Sequence, residues 1–580
     1  IPHPSKVNTT EEITECLHMF GAQIKSLLDP KTLTKNNNKR IKKKHREVNG
    51  KDTTSQKEDM IKTMSEIGIS PSFIKQIYTQ SKAIAKQQHI VEKEIPGNLD
   101  PERLRQLRND LSGLIFSPLD KNTGCMCISC PLAYENAITK SFRSDTSHYE
   151  KFRLPASELI KKYRRFYEEI GEPISTVSND KFDETKIPYA YVLHKNKDLA
   201  KLRPIVSYAT HPLKRILNVT CRALNHMIQT IDADHALHCN METCIELKER
   251  IKDFESRMKK KYGKHTRFAF IMGDVKNMYT ELTHGTIKKA VDWILQETSK
   301  QTRRTEVTVK RRGKRGVSYG RATNTHSSTT LTIEQIRKVV EFDLANAVFA
   351  VGDPGNEHNL FRQFVGVPMG SPLSPALAKI TCMYFENIFL QKIKHDDSCT
   401  LEGLRYMDDL VALGVYDFKS HHSEDQVKKH MKTLTTCYDD GMILEIEAQS
   451  GYGNRSSEKE TTYLQSNLVF YKNTIEMYEN NKNADSILNT GKQKLLRYPH
   501  INSYSSNKQK LAICIQCAIA VERYSTTIEY KATQFIKITK ELAILGYPPR
   551  LITKTLMYMQ THYDHNTWTT VFSAYSKSKC

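Results

Sequence analysis

Two adjacent carboxylates, Asp408 and Asp409, lie between the apolar runs LRY and LVALGVY. The pattern predicts two short strands flanking a tight polar turn. Like charges side by side on such a turn repel each other unless a cation sits between them, which points to a divalent metal. Asp-Asp pairs also occur in ordinary turns, so the dipeptide alone decides little. A third carboxylate, Asp274, ends the run RFAFIMGD, Arg267 to Asp274, which reads as a buried strand. If the two segments are neighbouring strands, three carboxylates converge on one sheet edge. Such a cluster can hold two Mg²⁺ ions about 4 Å apart, the arrangement that serves phosphoryl transfer. Mg²⁺ suits the task because it takes hard oxygen ligands and keeps positions open for substrate phosphates.

The elements that must position these residues can be read in outline. Helical stretches are expected over Pro372 to Ile393 and His421 to Tyr438. TTYLQSNLVFYKNTIEMY, Thr461 to Tyr478, reads as a hairpin with its turn near Lys472 and Asn473. A carboxylate-bearing sheet among helices predicts an α+β fold. The first hundred residues read as basic, amphipathic helices. They are interrupted by KNNNKRIKKKHR, which suits a nuclear-import signal, a nucleic-acid contact or a solvated loop. Pro96, Gly97 and Pro101 mark a boundary, giving an N-terminal region over 1–105, a central body over 106–485 and a helical C-terminal part over 486–580. Within the body, the stretch from about 298 to 332 carries Arg303, Arg304, Lys310, Arg311, Arg312, Lys314 and Arg315. It reads as a basic insertion, flexible unless bound to nucleic acid.

Composition narrows the partners. The 580 residues include 87 Lys plus Arg against 65 Asp plus Glu, a formal charge of +22. That excess is the electrostatic footprint of a phosphate-rich partner rather than of a small-metabolite enzyme. Apolar runs such as Leu511 to Val521 fall far short of the roughly 20 residues a bilayer span needs, so no membrane partner is expected. Thirteen cysteines are too sparse for a disulfide framework. Cys125, Cys127 and Cys130, and the pair Cys514 and Cys517, lack the four ligands of a zinc site and read as small buried hydrophobes. Ile1 opens the chain, as in a fragment or a processed product, and no signal-peptide core follows it.

Four segments together resemble the reverse transcriptases. YMDD (Tyr406 to Asp409) resembles motif C of that family, GDVKNMY (Gly273 to Tyr279) motif A, FVGVPMGSPLSPALA (Phe364 to Ala378) motif B, and LRPIVSY (Leu202 to Tyr208) the fingers motif, all in the family's order. Within it, PMGSPLSP, Asp120-Lys121-Asn122, and the stretches Arg497 to Ser525 and Leu545 to Ile552 look like Penelope-like retroelements, with telomerase a relative by mechanism. No telomerase-type RNA-binding domain is recognisable. The resemblance covers about Leu114 to His562.

It implies a right-hand polymerase of fingers, palm and thumb that extends a DNA primer on an RNA template with dNTPs, in the nucleus. By similarity, Asp274, Asp408, Asp409 and the Val275 carbonyl would hold two Mg²⁺ ions, with Mn²⁺ able to replace them. Arg203 would contact the triphosphate through a planar fork, together with Lys195 or Lys197, Lys195 being preferred. Tyr279 would exclude a 2′-hydroxyl. Gly366, Met369 and Gly370 would line the nascent base pair, the glycines letting backbone approach the substrate, and Ser371 and Pro372 would start a helix. Two departures stand out: Tyr463-Leu464-Gln465 where the subgroup has Phe-Leu-Asp, and a motif D lysine for which only Lys459 offers itself. No GIY-YIG endonuclease pattern is present in the sequence. The alternative is a domesticated nucleic-acid-binding protein that keeps the fold without polymerisation, but it has no chemical need for all three carboxylates. A viral RNA-copying polymerase would carry a Gly-Asp-Asp turn in place of Met407-Asp408-Asp409.

Overall fold

The computed structural model describes residues 101–175, 187–196, 198–232, 238–310, 316–321, 328–352, 359–393, 400–438, 441–450, 459–471, 473–503 and 505–578. The N-terminal basic run, Lys197, Arg311, Arg312, Lys314 and Arg315 lie outside the described residues. In chain order the elements begin with helix α1 (Pro101–Asp110), the hairpin β1 (Ile115–Leu119) and β2 (Asn122–Ser129), α2 (Pro131–Ile138), β3 (Tyr149–Lys151) and α3 (Ala156–Ser175). There follow β4 (Tyr189–Lys195), β5 (Asp198–Ser207), α4 (Lys214–Asp232), α5 (Glu246–Tyr262), β6 (Thr266–Lys276) and α6 (His284–Thr302). Next come β7 (Glu306–Lys310), β8 (Val317–Tyr319), β9 (Ser328–Thr332), α7 (Ile333–Ala345), β10 (Val348–Val351), β11 (Leu360–Gln363) and α8 (Ser374–Ile393). The chain continues through β12 (Thr400–Tyr406), β13 (Asp409–Asp417), α9 (His421–Leu434), β14 (Ile443–Gln449), β15 (Lys459–Tyr463), β16 (Ser466–Phe470) and β17 (Ile475–Glu479). It ends in the helices α10 (Ala484–Thr490), α11 (Asn507–Tyr524), α12 (Ile528–Ile544), α13 (Pro549–His562) and α14 (His565–Lys577). This is the expected α+β class, with a polymerase-like arrangement of sheets and helices.

The sheet that matters most runs β12-β13-β6-β14, antiparallel throughout. Its strands alternate with period 2, so the two faces bury different sets of side chains. Phe268, Phe270, Met272, Val411, Leu413 and Val415 face one core with Leu247, Ile251 and Phe254 of α5 and Leu468 and Met477 of β16 and β17. Ala269, Ile271 and Tyr416 face the other way, onto Val427 and Met431 of α9. A second, five-stranded sheet runs β3-β11-β10-β4-β5, drawing strands from before and after β6, and α11 to α14 close a separate core around Trp568 and Phe535. Cys514 and Cys517 lie buried in that last core, as small hydrophobes would. Among the described residues no helix is long and apolar enough to cross a membrane.

Two expectations are corrected. The stretch expected to be a flexible insertion contains a folded three-stranded sheet, β8-β7-β9. Val307, Val309 and Leu331 enter the main core, and Arg222 of α4 donates to the Lys310 carbonyl at 2.6 Å. Its charges mask β-branched strands that pair in register, Val307 with Leu331 and Val309 with Thr329. The segment Thr461 to Tyr478 is a three-stranded meander rather than one hairpin. The unexpected first turn passes through Leu464, which adopts φ 55° although it is not glycine.

Candidate active site

Alternation and register together place the carboxylates. Asp274 continues the Phe268, Phe270, Met272 face of β6, and Asp409 continues the Val411, Leu413, Val415 face of β13. The pairing sets Asp409 directly opposite Asp274, one step beyond Val411 and Leu410 opposite Met272 and Gly273. Like charges directly opposite on one sheet face are destabilising in themselves. Asp408 sits in the turn, and its carbonyl accepts the Val275 N–H at 2.8 Å, tying the turn to β6. Burial pushes the Asp409 carboxyl up to about 6, with Asp408 and Asp274 adding to the shift. Burial also raises Asp274, followed by Asp408 and by Glu447. Asp274 Oδ1 is buried without a hydrogen-bond partner.

Glu447 was not anticipated. It falls between Ile446, paired with Gly273, and Ala448, paired with Met272, so it is the extra residue of a β-bulge in β14. Glu445 of the same strand lies opposite Asp274. Positive charges lie nearby as well, Lys276 of β6 pairing with Glu445 at 3.1 Å. Lys121, in the turn between β1 and β2, acts on both Asp274 and Asp409, and Arg203 acts on Tyr279. Among the described residues, no group of three or more Asp, Glu, His or Cys side chains is placed so that it could hold a metal ion as it stands. The sheet instead brings hard oxygen donors to one edge, and the buried, unpartnered Asp274 oxygen is the kind of atom a divalent cation would satisfy.

The turn itself is strained and held. Met407 has φ 57°, at the first central position of a two-residue hairpin turn where glycine is the usual occupant. Its carbonyl accepts from Arg405 Nη1 at 2.8 Å. Arg405 is wholly buried and ion-paired with Glu386 of α8, whose carboxylate also accepts from the Cys239 N–H at 2.9 Å and the Tyr438 hydroxyl at 2.8 Å. Burial pushes Glu386 up, but Arg405 and the Cys239 N–H leave it below its ordinary value. On the other side, the Tyr463 hydroxyl lies 2.6 Å from the Leu404 carbonyl and 3.0 Å from that of Asp409. Tyr463 of the Tyr463-Leu464-Gln465 triplet thus buttresses the turn.

The remaining expected residues are placed as follows. Tyr279 lies half-buried against the main core, and burial pushes its phenol up to about 12. Arg203 of β5 pairs with Asp120 at 3.1 Å. Lys195 enters through its backbone, which bridges Asp120. The Met369 carbonyl accepts the Val206 N–H at 3.0 Å. Both glycines pack closely against the protein's own backbone. A Cβ on Gly370 (φ 140°) would lie 2.0 Å from the Val206 carbonyl oxygen, and one on Gly366 (φ 77°) would lie 2.5 Å from the Tyr279 and Thr280 carbonyl oxygens. Gly366 and Val367 donate to the carbonyls of Leu282 and Tyr279 at 2.7 Å each, clamping this loop to the segment after Asp274. The helix expected from Ser371 and Pro372 starts at Ser374, and Ser371 instead hydrogen-bonds Asp343 at 3.1 Å. Lys459 donates to the Gln449 carbonyl at 3.1 Å, four residues along β14 from the Glu445 that faces Asp274.

No protein-family model matches the chain, and no curated protein matches it. Solved structures do. Telomerase from Candida albicans, in complex with a TWJ fragment of telomeric RNA, is similar with a TM-score of 0.52 at 13% identity, over 80% of this chain and 67% of that one. The chain shares its fold with telomerase. Apo telomerase from Candida tropicalis gives a TM-score of 0.49 at 13% identity, over 88% of this chain and 76% of that chain. Telomerase from the same organism with the TWJ fragment gives 0.48 at 12%, over 85% and 65%.

Proposed function

We propose that the protein is an RNA-directed DNA polymerase of a retroelement, extending a DNA primer 3′-hydroxyl on an RNA template. The observation that carries the reading is the placement of Asp409 directly opposite Asp274, with Asp408 tied to the next residue of β6. An acidic edge on a protein of charge +22 suits metal-assisted chemistry on a phosphate-rich substrate. The fold shared with telomerase, solved with telomeric RNA, supports an RNA partner. Asp274, Asp408, Asp409 and the Val275 carbonyl would hold two Mg²⁺ ions, which when bound supply Lewis-acid activation of the 3′-hydroxyl and charge neutralisation at the leaving pyrophosphate.

The chain's own residues bind and orient the substrates. Arg203 offers a planar donor fork to phosphate oxygens. The Tyr279 ring meets the sugar where a 2′-hydroxyl would clash, and the Met369–Gly370 backbone, fixed on β5, presents a rigid surface to the new base pair. The Arg405–Glu386 pair and Tyr463 hold the turn that carries Asp408. Primer extension with dNTPs and Mg²⁺ on RNA and DNA templates tests the proposal. Binding of the template–primer without any incorporation would favour the domesticated binding protein instead.

A further inference from the structure

Asp343 lies buried near the C-terminal end of α7. A carboxyl taken out of water needs a partner, and its Oδ2 accepts the Ser371 hydroxyl at 3.1 Å. Ser371 Oγ gives its one proton there and is approached by the Leu373 N–H at 3.3 Å and by the Tyr208 hydroxyl. With one donor and two acceptor positions occupied, the hydroxyl is fully used. The Tyr208 ring stacks on His211 at 4.7 Å, and His211 lies against Tyr163 at 5.0 Å. The Tyr163 hydroxyl then donates at 2.9 Å to the carbonyl of Asn346, the C-cap of α7. The circuit thus returns to the helix that carries Asp343, and all its side chains from Tyr208 to Tyr163 are buried.

The circuit grips one turn. Over 368–374 the Ser371 N–H and the Ser374 hydroxyl both donate to the Pro368 carbonyl, at 3.1 and 2.7 Å. Met369 and Gly370 form the tip, which the Val206 N–H ties to β5 at 3.0 Å. Held by β5 on one side and by α7 on the other, the tip cannot shift without straining the Ser371–Asp343 bond. An apolar residue at Asp343 would pack without direction, whereas this bond fixes Ser371 in one geometry.

We propose that Asp343 is a positioning residue for nucleotide selection: through Ser371 it keeps Met369 and Gly370 where they accept a correctly paired dNTP and reject a mismatched one. The role rests on the polymerase reading. A tip freed from α7 loses its fit to the matched pair and makes room for the mismatched one.

The test is single-turnover incorporation of a matched and a mismatched dNTP by the full chain, on an RNA template with a DNA primer. Asp343→Ala should lower the matched-to-mismatched ratio of incorporation efficiencies by about tenfold. Ser371→Ala should lower it as far, and the double variant no further, since the two side chains act as one unit. Asp343→Asn, whose amide oxygen still accepts the hydroxyl, should keep the wild-type ratio. An unchanged ratio in both alanine variants, with only a lower thermal midpoint, would overturn the proposal and leave the pair to core stability. Equal losses for matched and mismatched dNTP, or an Asp343→Asn variant that behaves like Asp343→Ala, would overturn it too. Should Asp343→Ala fail to fold, Ser371→Ala and Asp343→Asn decide between these outcomes. A wild type that incorporates no matched dNTP sinks the polymerase reading, and this role with it; every other outcome is read against an active wild type.

Discussion

Arg405 and Glu386 form a fully buried ion pair directly beneath the turn that carries Asp408. One guanidinium nitrogen is left over for the Met407 carbonyl, so the pair fixes the backbone of a residue in a strained conformation. Removing one partner of a buried pair leaves the other charge uncompensated, at a cost of about 3–5 kcal/mol. Arg405→Met should therefore lower the thermal midpoint sharply and abolish primer extension. Adding Glu386→Gln should return much of the stability but not the activity, because the Met407 carbonyl remains unheld. A double variant as active as the wild type would show that the turn needs no such support.

Tyr463 supports the same turn from the other face of β12 and β13. Tyr463→Phe keeps the ring in its core and removes only the hydroxyl near the Leu404 and Asp409 carbonyls. The expected loss of stability is about 1 kcal/mol, read by urea unfolding. Single-turnover incorporation should slow while dNTP affinity is retained.

Tyr279 is held by its backbone to Val367, and its ring is the proposed barrier to a 2′-hydroxyl. Tyr279→Ala should raise the ratio of rNTP to dNTP incorporation by about tenfold or more, measured in parallel single-nucleotide extensions. An unchanged ratio would assign the ring to the core alone.

Asp343, hydrogen-bonded to Ser371, gives a pH signature of its own. Burial pushes its carboxyl up to about 7, opposed by the Ser371 hydroxyl. The fold therefore favours the neutral form. Its contribution to stability is fully present below the unfolded carboxylate value of about 3.9 and is lost as pH rises through about 7. Asp343→Asn removes the ionisation, so its thermal midpoint relative to wild type should be higher at pH 8 than at pH 5. An equal difference at both pH values would contradict the assignment.

The carboxylates were legible in the sequence because their signals are local. Alternation along Arg267 to Asp274 and a polar pair between apolar runs specify strands and turn without any distant contact. What surrounds them was not, because it depends on contacts between residues far apart in the chain. Glu386 meets Arg405 from a helix, Tyr463 reaches back to Leu404, and Lys121 arrives from a hairpin more than a hundred residues before Asp274. The sheet of β7, β8 and β9 was hidden for a different reason. Its Lys and Arg residues gave a disorder-like composition, while the buried members Val307, Val309 and Leu331 are few. Leu464 offered no turn signal, since a leucine at positive φ is held by the meander rather than favoured by its own chemistry.

The central claim is that Asp274, Asp408 and Asp409 act as one metal-holding unit that extends a primer on RNA. It is tested most directly by Mg²⁺-dependent extension of a DNA primer on an RNA template, comparing wild type with Asp408→Ala at equal template–primer occupancy. The account predicts dNTP incorporation by the wild type, abolished by chelation and by Asp408→Ala, with template–primer binding retained in the variant. Incorporation that survives Asp408→Ala, or its absence from a wild type that binds the template–primer fully, would contradict it.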